Sequence, residues 1–407
     1  MPTLRFYNFY RGVLLQGRWS ALPLPWHGRE SFPNILKVYG VMMIFYLIYK
    51  IVCTTYAIMH LDKFEIRVYL MSALFYFISS LLLMIFFYLK GAEYRSLIDG
   101  VDSLTDFVMT SGLGEENFFQ EEYKKVAIGL AKFSRFMAIS AVSCPAMFCL
   151  SVPFIDYLHG EYRARTAVPA QCPVELEVQH VPGVFEIIVI QQGLAYSIPS
   201  FQKFVTEIIM LSLFNILKTL FEYLSRSLKH ISKDLDKRKG TDAAWEKFHV
   251  WVRIHQASIS LFESVIILFS PLIVMYYLLT IVVVAGALLY MTDANSSNIL
   301  QTLFGGGYML VTMFSLFLQC QAADEASSAA LNLADEIYRL PWHKLDTKRN
   351  SSIRFILEVA TKTINVDAYH SPAFRLSKKA YHSLFVNTVS AYMGFRKIMY
   401  MQHQNNP

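Results

Sequence analysis

Six long apolar runs constrain this chain more than any other feature. They lie at about 35–59, 66–89, 127–154, 187–217, 257–291 and 299–320. Each is long enough to cross a hydrocarbon layer of about 30 Å as a helix rising about 1.5 Å per residue. A seventh run, about 380–400 (AYHSLFVNTVSAYMGFRKIMY), has the length of a span but carries His382, Asn387, Thr388, Ser390 and Arg396. Polar groups in that number do not face lipid, so this segment is either buried in a bundle or lines water. Of 407 residues 54% are hydrophobic and 17% charged, against about 25% charged in an average soluble domain. The expectation is an all-α membrane protein with seven transmembrane helices.

Lys and Arg concentrate on the cytoplasmic side of membrane spans. The segment 1–34 holds Arg5, Arg11, Arg18 and Arg29 beside Trp19 and Trp26. It lacks the continuous apolar core of a signal peptide, so it is expected to be retained and interfacial. Lys90, Arg95, Lys124 and Lys125 mark the 90–125 loop, and a dense basic set from Lys218 to Arg253 marks the next. The opposite side offers only Lys63, Arg163 and Arg165. This asymmetry predicts an intracellular N-terminus and, after seven crossings, an extracellular C-terminus, inverted relative to a G-protein-coupled receptor. Sequons at Asn295 and Asn350 would then fall on opposite sides.

Helices four to six are expected to outrun the bilayer. Apolar residues recur at helical spacing among charges in Phe221–Leu235 and Trp245–Ile254, and small residues with paired acids fill Ala322–Tyr338. Such amphipathic extensions bury one stripe against protein. They predict a cytoplasmic helical anchor. In DEIYRLPWHKL (Asp335–Leu345) the helix stops at Tyr338, because Pro341 cannot continue it and disfavours helix at Leu340. A basic linker, KLDTKRNSS, and a short amphipathic helix at Ile353–Thr363 follow. The domain reading is a cytoplasmic segment 1–34, helices one to six over 35–320, anchor and linker over 321–379, and a seventh helix with a short tail over 380–407.

Chemistry-bearing motifs point away from catalysis. There is no GxSxG, HExxH or P-loop. Cys53, Cys144, Cys149, Cys172 and Cys320 are scattered, mostly in apolar runs, without metal-ligand spacing. No enzyme activity, cofactor, metal or nucleic-acid partner is expected. A secondary transporter is the rival class, but internal repeats and broken midplane helices are not visible.

The acid- and serine-rich end of helix six, the Tyr-x-x-Pro-Trp-His break, the basic linker and the final LSKKAYHSLFVNTVSAYMGFRK resemble the C-terminal region of insect odorant receptors. The stretch SAYMGFRKI lacks the terminal motif of the related gustatory receptors. The loop Asp234–Ala244 is short where the odorant co-receptor has a long insertion, so the chain looks like a ligand-tuned subunit. The resemblance implies an odorant-gated, non-selective cation channel, assembled as a tetramer with the co-receptor in the plasma membrane of olfactory sensory neurons. It places the seventh helices around the pore and the YRLPWH turn at the base of the anchor. A gustatory-type homotetramer is the alternative.

By the same resemblance a small volatile ester, alcohol or ketone binds in the outer half of the bundle. The residues at that depth are Phe75 and Tyr76 on helix two, Ser143 and Met147 on helix three, and Tyr196 on helix four. Tyr276 and Thr280 on helix five and Tyr308, Met309 and Thr312 on helix six complete the set. Aromatics supply flat apolar area, Met adapts to shape and hydroxyls fix a polar group. The glycines of Phe304–Tyr308 either shape this pocket or pack helices closely. Gln191, Gln192 and an acidic loop over Asp156–Pro182 lie outside, where the acids would gather cations or simply be solvated. On the last helix Ser390, Met393 and Arg396 recur every third residue, close to one face. That face is expected to line the pore.

Overall fold

Within lipid a backbone satisfies its own polar groups most simply as helix, and the long apolar runs fold accordingly. The computed structural model describes residues 6, 13, 22, 24, 34–60, 64–158, 184–236, 241–292, 299–362 and 364–405. Among them the regular elements are α1 (Asn34–His60), α2 (Phe64–Met109), α3 (Glu116–Leu158), α4 (Val184–Asp236), α5 (Thr241–Thr292), α6 (Ile299–Tyr338), α7 (Thr347–Ala360) and α8 (Lys378–Asn405), with three short 3-10 turns after α6. The protein is an all-α, multi-pass membrane protein. Among the described residues five stretches are long and apolar enough to cross a membrane: Lys37–His60, Leu70–Met109, Glu116–Ser143, Ile190–Asp236 and Asp242–Leu288. The segment 159–183 and the turn bearing Asn295 lie outside the described residues, as do nearly all of 1–34 and Cys172. The side chains of Cys144 and Cys149 do too.

α4, with 53 residues, spans roughly 80 Å at 1.5 Å per residue, well beyond a core of about 30 Å. It is the central helix: 89% of its apolar window is buried, against 33% in α1 and 28% in α3. Lys218 contacts Glu325 at 2.8 Å and Lys229 contacts Glu336 at 3.4 Å, while Glu207 is bonded by Ser315. The nearly constant sequence separation means that α4 and α6 run parallel, level with level. We call the end carrying α7 the base and the opposite end the top.

The extension of helices four to six holds in α4, α5 and α6. α2 and α3 extend as well, and this corrects the reading of 90–125 as a loop. Tyr94, Leu97, Ile98, Val101, Leu104 and Val108 recur at helical spacing and are buried, so an amphipathic stripe continues α2 past its apolar run. The chain reverses only at Gly112 and Gly114, whose φ of +67° and +94° suit glycine.

α6 ends at Tyr338, as the proline requires. α7 starts at Thr347, six residues before the expected start, so most of the expected linker is its first turns. Arg349 accounts for this: it bonds Asp242 at 2.6 Å, pairs with Asp346 at 3.5 Å and lies 5.4 Å from the Trp245 ring, pinning those turns to the start of α5. Tyr338 and Trp342 are 64% and 37% exposed, so neither plugs a gap.

Candidate ligand-binding site

α2, α4 and α5 converge toward the top on two tyrosines, Tyr76 and Tyr196. Tyr76, Leu279 and Val283 form a buried apolar cluster of their own with Tyr196 packed against it. The Tyr196 ring is also 5.3 Å from Phe77. Pro199 leaves the Ala195 carbonyl without its usual helical donor. Around that break Ser197 and Ser200 bond back to the carbonyls of Gly193 and Tyr196, at 2.8 and 2.9 Å. The single Ser200 proton is thereby used, so the Tyr76 hydroxyl donates to Ser200 Oγ. One turn lower, Ser80 donates to Gln202 Oε1.

Tyr76, Tyr276, Thr280 and Thr312 are buried inside the bundle, and Tyr196 and Met309 are half-buried. Phe75 is 44% exposed, because one residue of helix turns the chain by about 100° away from Tyr76. Ser143 on α3 is likewise exposed. The fold does not bring these two together with the rest. The side chains of Met147 and Tyr308 lie outside the described residues. A Cβ at Gly307 would meet nothing within 4 Å, so close helix packing does not explain that glycine.

Sequence reasoning missed a polar layer just below the tyrosines. Ser200, Gln202, Lys203, Thr206 and Glu207 are all buried on α4. Lys203 Nζ is 3.7 Å from Glu207 Oε1, and Ser315 of α6 donates to Glu207 Oε2. The signal was present as a lysine and a glutamate four apart inside an apolar run.

A second constellation joins this region to α8. Tyr277 donates to the backbone carbonyl of Arg375 and stands 6.1 Å from the Phe374 ring. Arg375 in turn makes a bidentate pair with Asp367, at 2.6 and 2.8 Å, closing a loop just ahead of α8. Tyr369 and His370 in that loop hold φ of 53° and 57°, uncommon for non-glycine residues, and the Tyr369 N–H donates to Ser270 of α5. Leu384 and Thr388 bury one side of α8, while Ser390, Met393 and Arg396 are all exposed in the single chain.

At the base, ion pairs cross between elements. Burial alone would raise the Glu325 carboxyl, but hydrogen bonds from Lys218 and Gln321, both at 2.8 Å, hold it below its ordinary value. Lys344 bonds Asp236 and holds that carboxyl low in the same way. Trp251 donates to the Leu224 carbonyl at 2.8 Å, locking α5 on α4. Among the described residues no group of three His, Cys, Asp or Glu side chains could hold a metal ion.

An all-helical, multi-pass membrane fold with tyrosines in its interior is the class these features define. The family model described as 7tm Odorant receptor matches residues 66–384, and the chain belongs to that insect odorant receptor family. Two structures of the insect olfactory receptor OR5 from Machilis hrabei share the fold. One superimposes with a TM-score of 0.74 at 15% identity, and the complex with eugenol at 0.75 and 14%. Both cover 96% of this chain and 98% of that receptor. No curated protein matches in sequence.

Proposed function

We propose that this chain is the odorant-tuned subunit of a ligand-gated, non-selective cation channel assembled as a tetramer with the odorant co-receptor. The supporting observation is the arrangement on α5. Tyr276 faces the interior beneath the tyrosine cluster, and Tyr277, the next residue, holds the segment that leads into α8. A ligand that moves α5 therefore has a direct mechanical connection to the helix assigned to the pore. The ligand is a small volatile organic molecule in the outer half of the bundle; the related receptor's complex with eugenol supports a ligand of that kind.

In this reading seven helices cross the plasma membrane of an olfactory sensory neuron, with 1–34 and the anchor 321–379 in the cytoplasm. Helices one to six over 35–320 hold the pocket, and 380–407 lines the pore and ends outside. The exposed Ser390, Met393 and Arg396 face the conduction path in contact with cations. The lipid-facing side includes α1, where Met42, Phe45, Val52 and Met59 are exposed apolar side chains.

Current recordings with and without the co-receptor, against a panel of volatiles, test the proposal. Odorant-evoked single-channel currents only in the co-expressing cells are expected. Robust currents from this chain alone would favour the homotetramer, and substrate flux without conductance would favour a transporter.

A further inference from the structure

Lys203 and Glu207 are ionisable side chains buried in the transmembrane part of the bundle. Their side chains are 4% and 7% exposed, one turn apart, in the middle of the run 187–217. Ionisable groups at membrane depth are expensive and mark function more often than packing. The carboxylate is held by Ser315. Lys203 Nζ has looser company: it stands 3.7 Å from Glu207, too long for a hydrogen bond, and 5.8 Å from the Phe204 ring, and it has no hydrogen-bond partner.

One further buried hydroxyl at this level also has none, Thr312 Oγ1. Its placement follows from register. α4 and α6 run parallel, and Glu207 and Ser315 are in contact. Lys203 and Thr312 each lie about one turn nearer the top, so they share one layer. Ser200, bonded to Tyr76, is one turn higher again. The unpartnered donors thus form the floor beneath the tyrosines.

We infer that Lys203 and Thr312 receive the acceptor oxygen of a neutral carbonyl compound, a small ketone, aldehyde or ester. This rests on the ligand-pocket reading and narrows it. The layer already holds one acidic and one basic side chain. An acid ligand sets a second acidic group beside Glu207, and an alkylamine a second basic group beside Lys203. A carbonyl oxygen accepts from Lys203 Nζ and the Thr312 hydroxyl without adding an ionisable group. A hydrocarbon leaves both donors unsatisfied.

The test uses the channel co-assembled with the co-receptor and five ligands on one carbon skeleton: ketone, methyl ester, alkane, carboxylic acid and alkylamine. The wild type is expected to respond to ketone and ester at concentrations at least about tenfold below the other three. Thr312→Val and the charge-free pair Lys203→Met with Glu207→Gln are each expected to reduce that preference about tenfold, at normal surface labelling. If the paired variant fails to reach the surface, Thr312→Val decides. A wild type without carbonyl preference, or a Thr312→Val channel that keeps the full preference, overturns the inference. A wild type silent to every volatile while the co-receptor's own agonist opens the channel overturns the ligand-gating reading as well.

Discussion

The Tyr277 hydroxyl donates to the Arg375 backbone carbonyl, tying the middle of α5 to the residues just before α8. Removing that hydroxyl in Tyr277→Phe leaves the ring contact with Phe374 and deletes the bond to Arg375, worth about 1 kcal/mol, together with a long contact to Cys320 Sγ at 4.0 Å. If this bond transmits ligand occupancy, the variant gives a several-fold lower maximal current per surface channel at saturating odorant. Whole-cell recording normalised to surface labelling checks this. An unchanged maximum would assign the bond to stability alone.

Tyr76 carries both a ring in the buried cluster and a donor to Ser200. Tyr76→Ala is expected to raise the half-maximal odorant concentration tenfold or more, and Tyr76→Phe only a few-fold, since the ring contributes most of the contact. Currents evoked by the co-receptor's own agonist should change far less. Equal loss of both responses would indicate misfolding and return Tyr76 to ordinary packing.

Acid should weaken the base. Lys218 and Gln321 hold the folded Glu325 carboxyl below its ordinary 4.5. The stability this contributes is complete above the ordinary value and is lost as pH falls through the lowered one. In Lys218→Met the principal stabilising cation is gone and burial, which acts the other way, dominates. The melting temperature of the purified receptor is therefore expected to drop on acidification more steeply in wild type than in the variant. Parallel curves would mean that the pair is fully screened.

The inverted topology is tested by glycan mapping. Asn295 lies in the sequence between α5 and α6, assigned to the outside, and Asn350 in α7, assigned to the cytoplasm. Endoglycosidase treatment of Asn295→Gln and Asn350→Gln variants should never show a glycan lost with Asn350. A glycan there would invert the whole arrangement.

Arg396 closes the exposed stripe of α8. A ring of four arginines would repel cations, whereas fewer copies among co-receptor subunits are tolerable. Arg396→Glu is expected to raise divalent relative to monovalent permeability in the assembled channel. If reversal potentials and single-channel conductance stay the same at normal odorant sensitivity, α8 is rotated relative to the pore axis.

The helices at membrane depth were legible because lipid leaves a backbone few options and a run of apolar residues of sufficient length has to be helix. The stop at Tyr338 was legible for an equally local reason, the missing N–H and fixed φ of Pro341. Local pattern could not decide which faces meet. Phe75 and Tyr76 are adjacent in sequence and chemically alike, yet only the packing of α2 against α4 and α5 turns one inward and the other out. The continuation of α2 past Lys90 escaped notice because its stripe is diluted by charges that only burial separates from the apolar face. Lys203 and Glu207 were visible as letters. Their isolation at membrane depth depends on Ser315 and Thr312, more than a hundred residues away, which the parallel packing of α4 and α6 brings to the same level. Helix formation is set by local chain energetics, whereas the polarity of a buried layer is set by every helix that contributes to it.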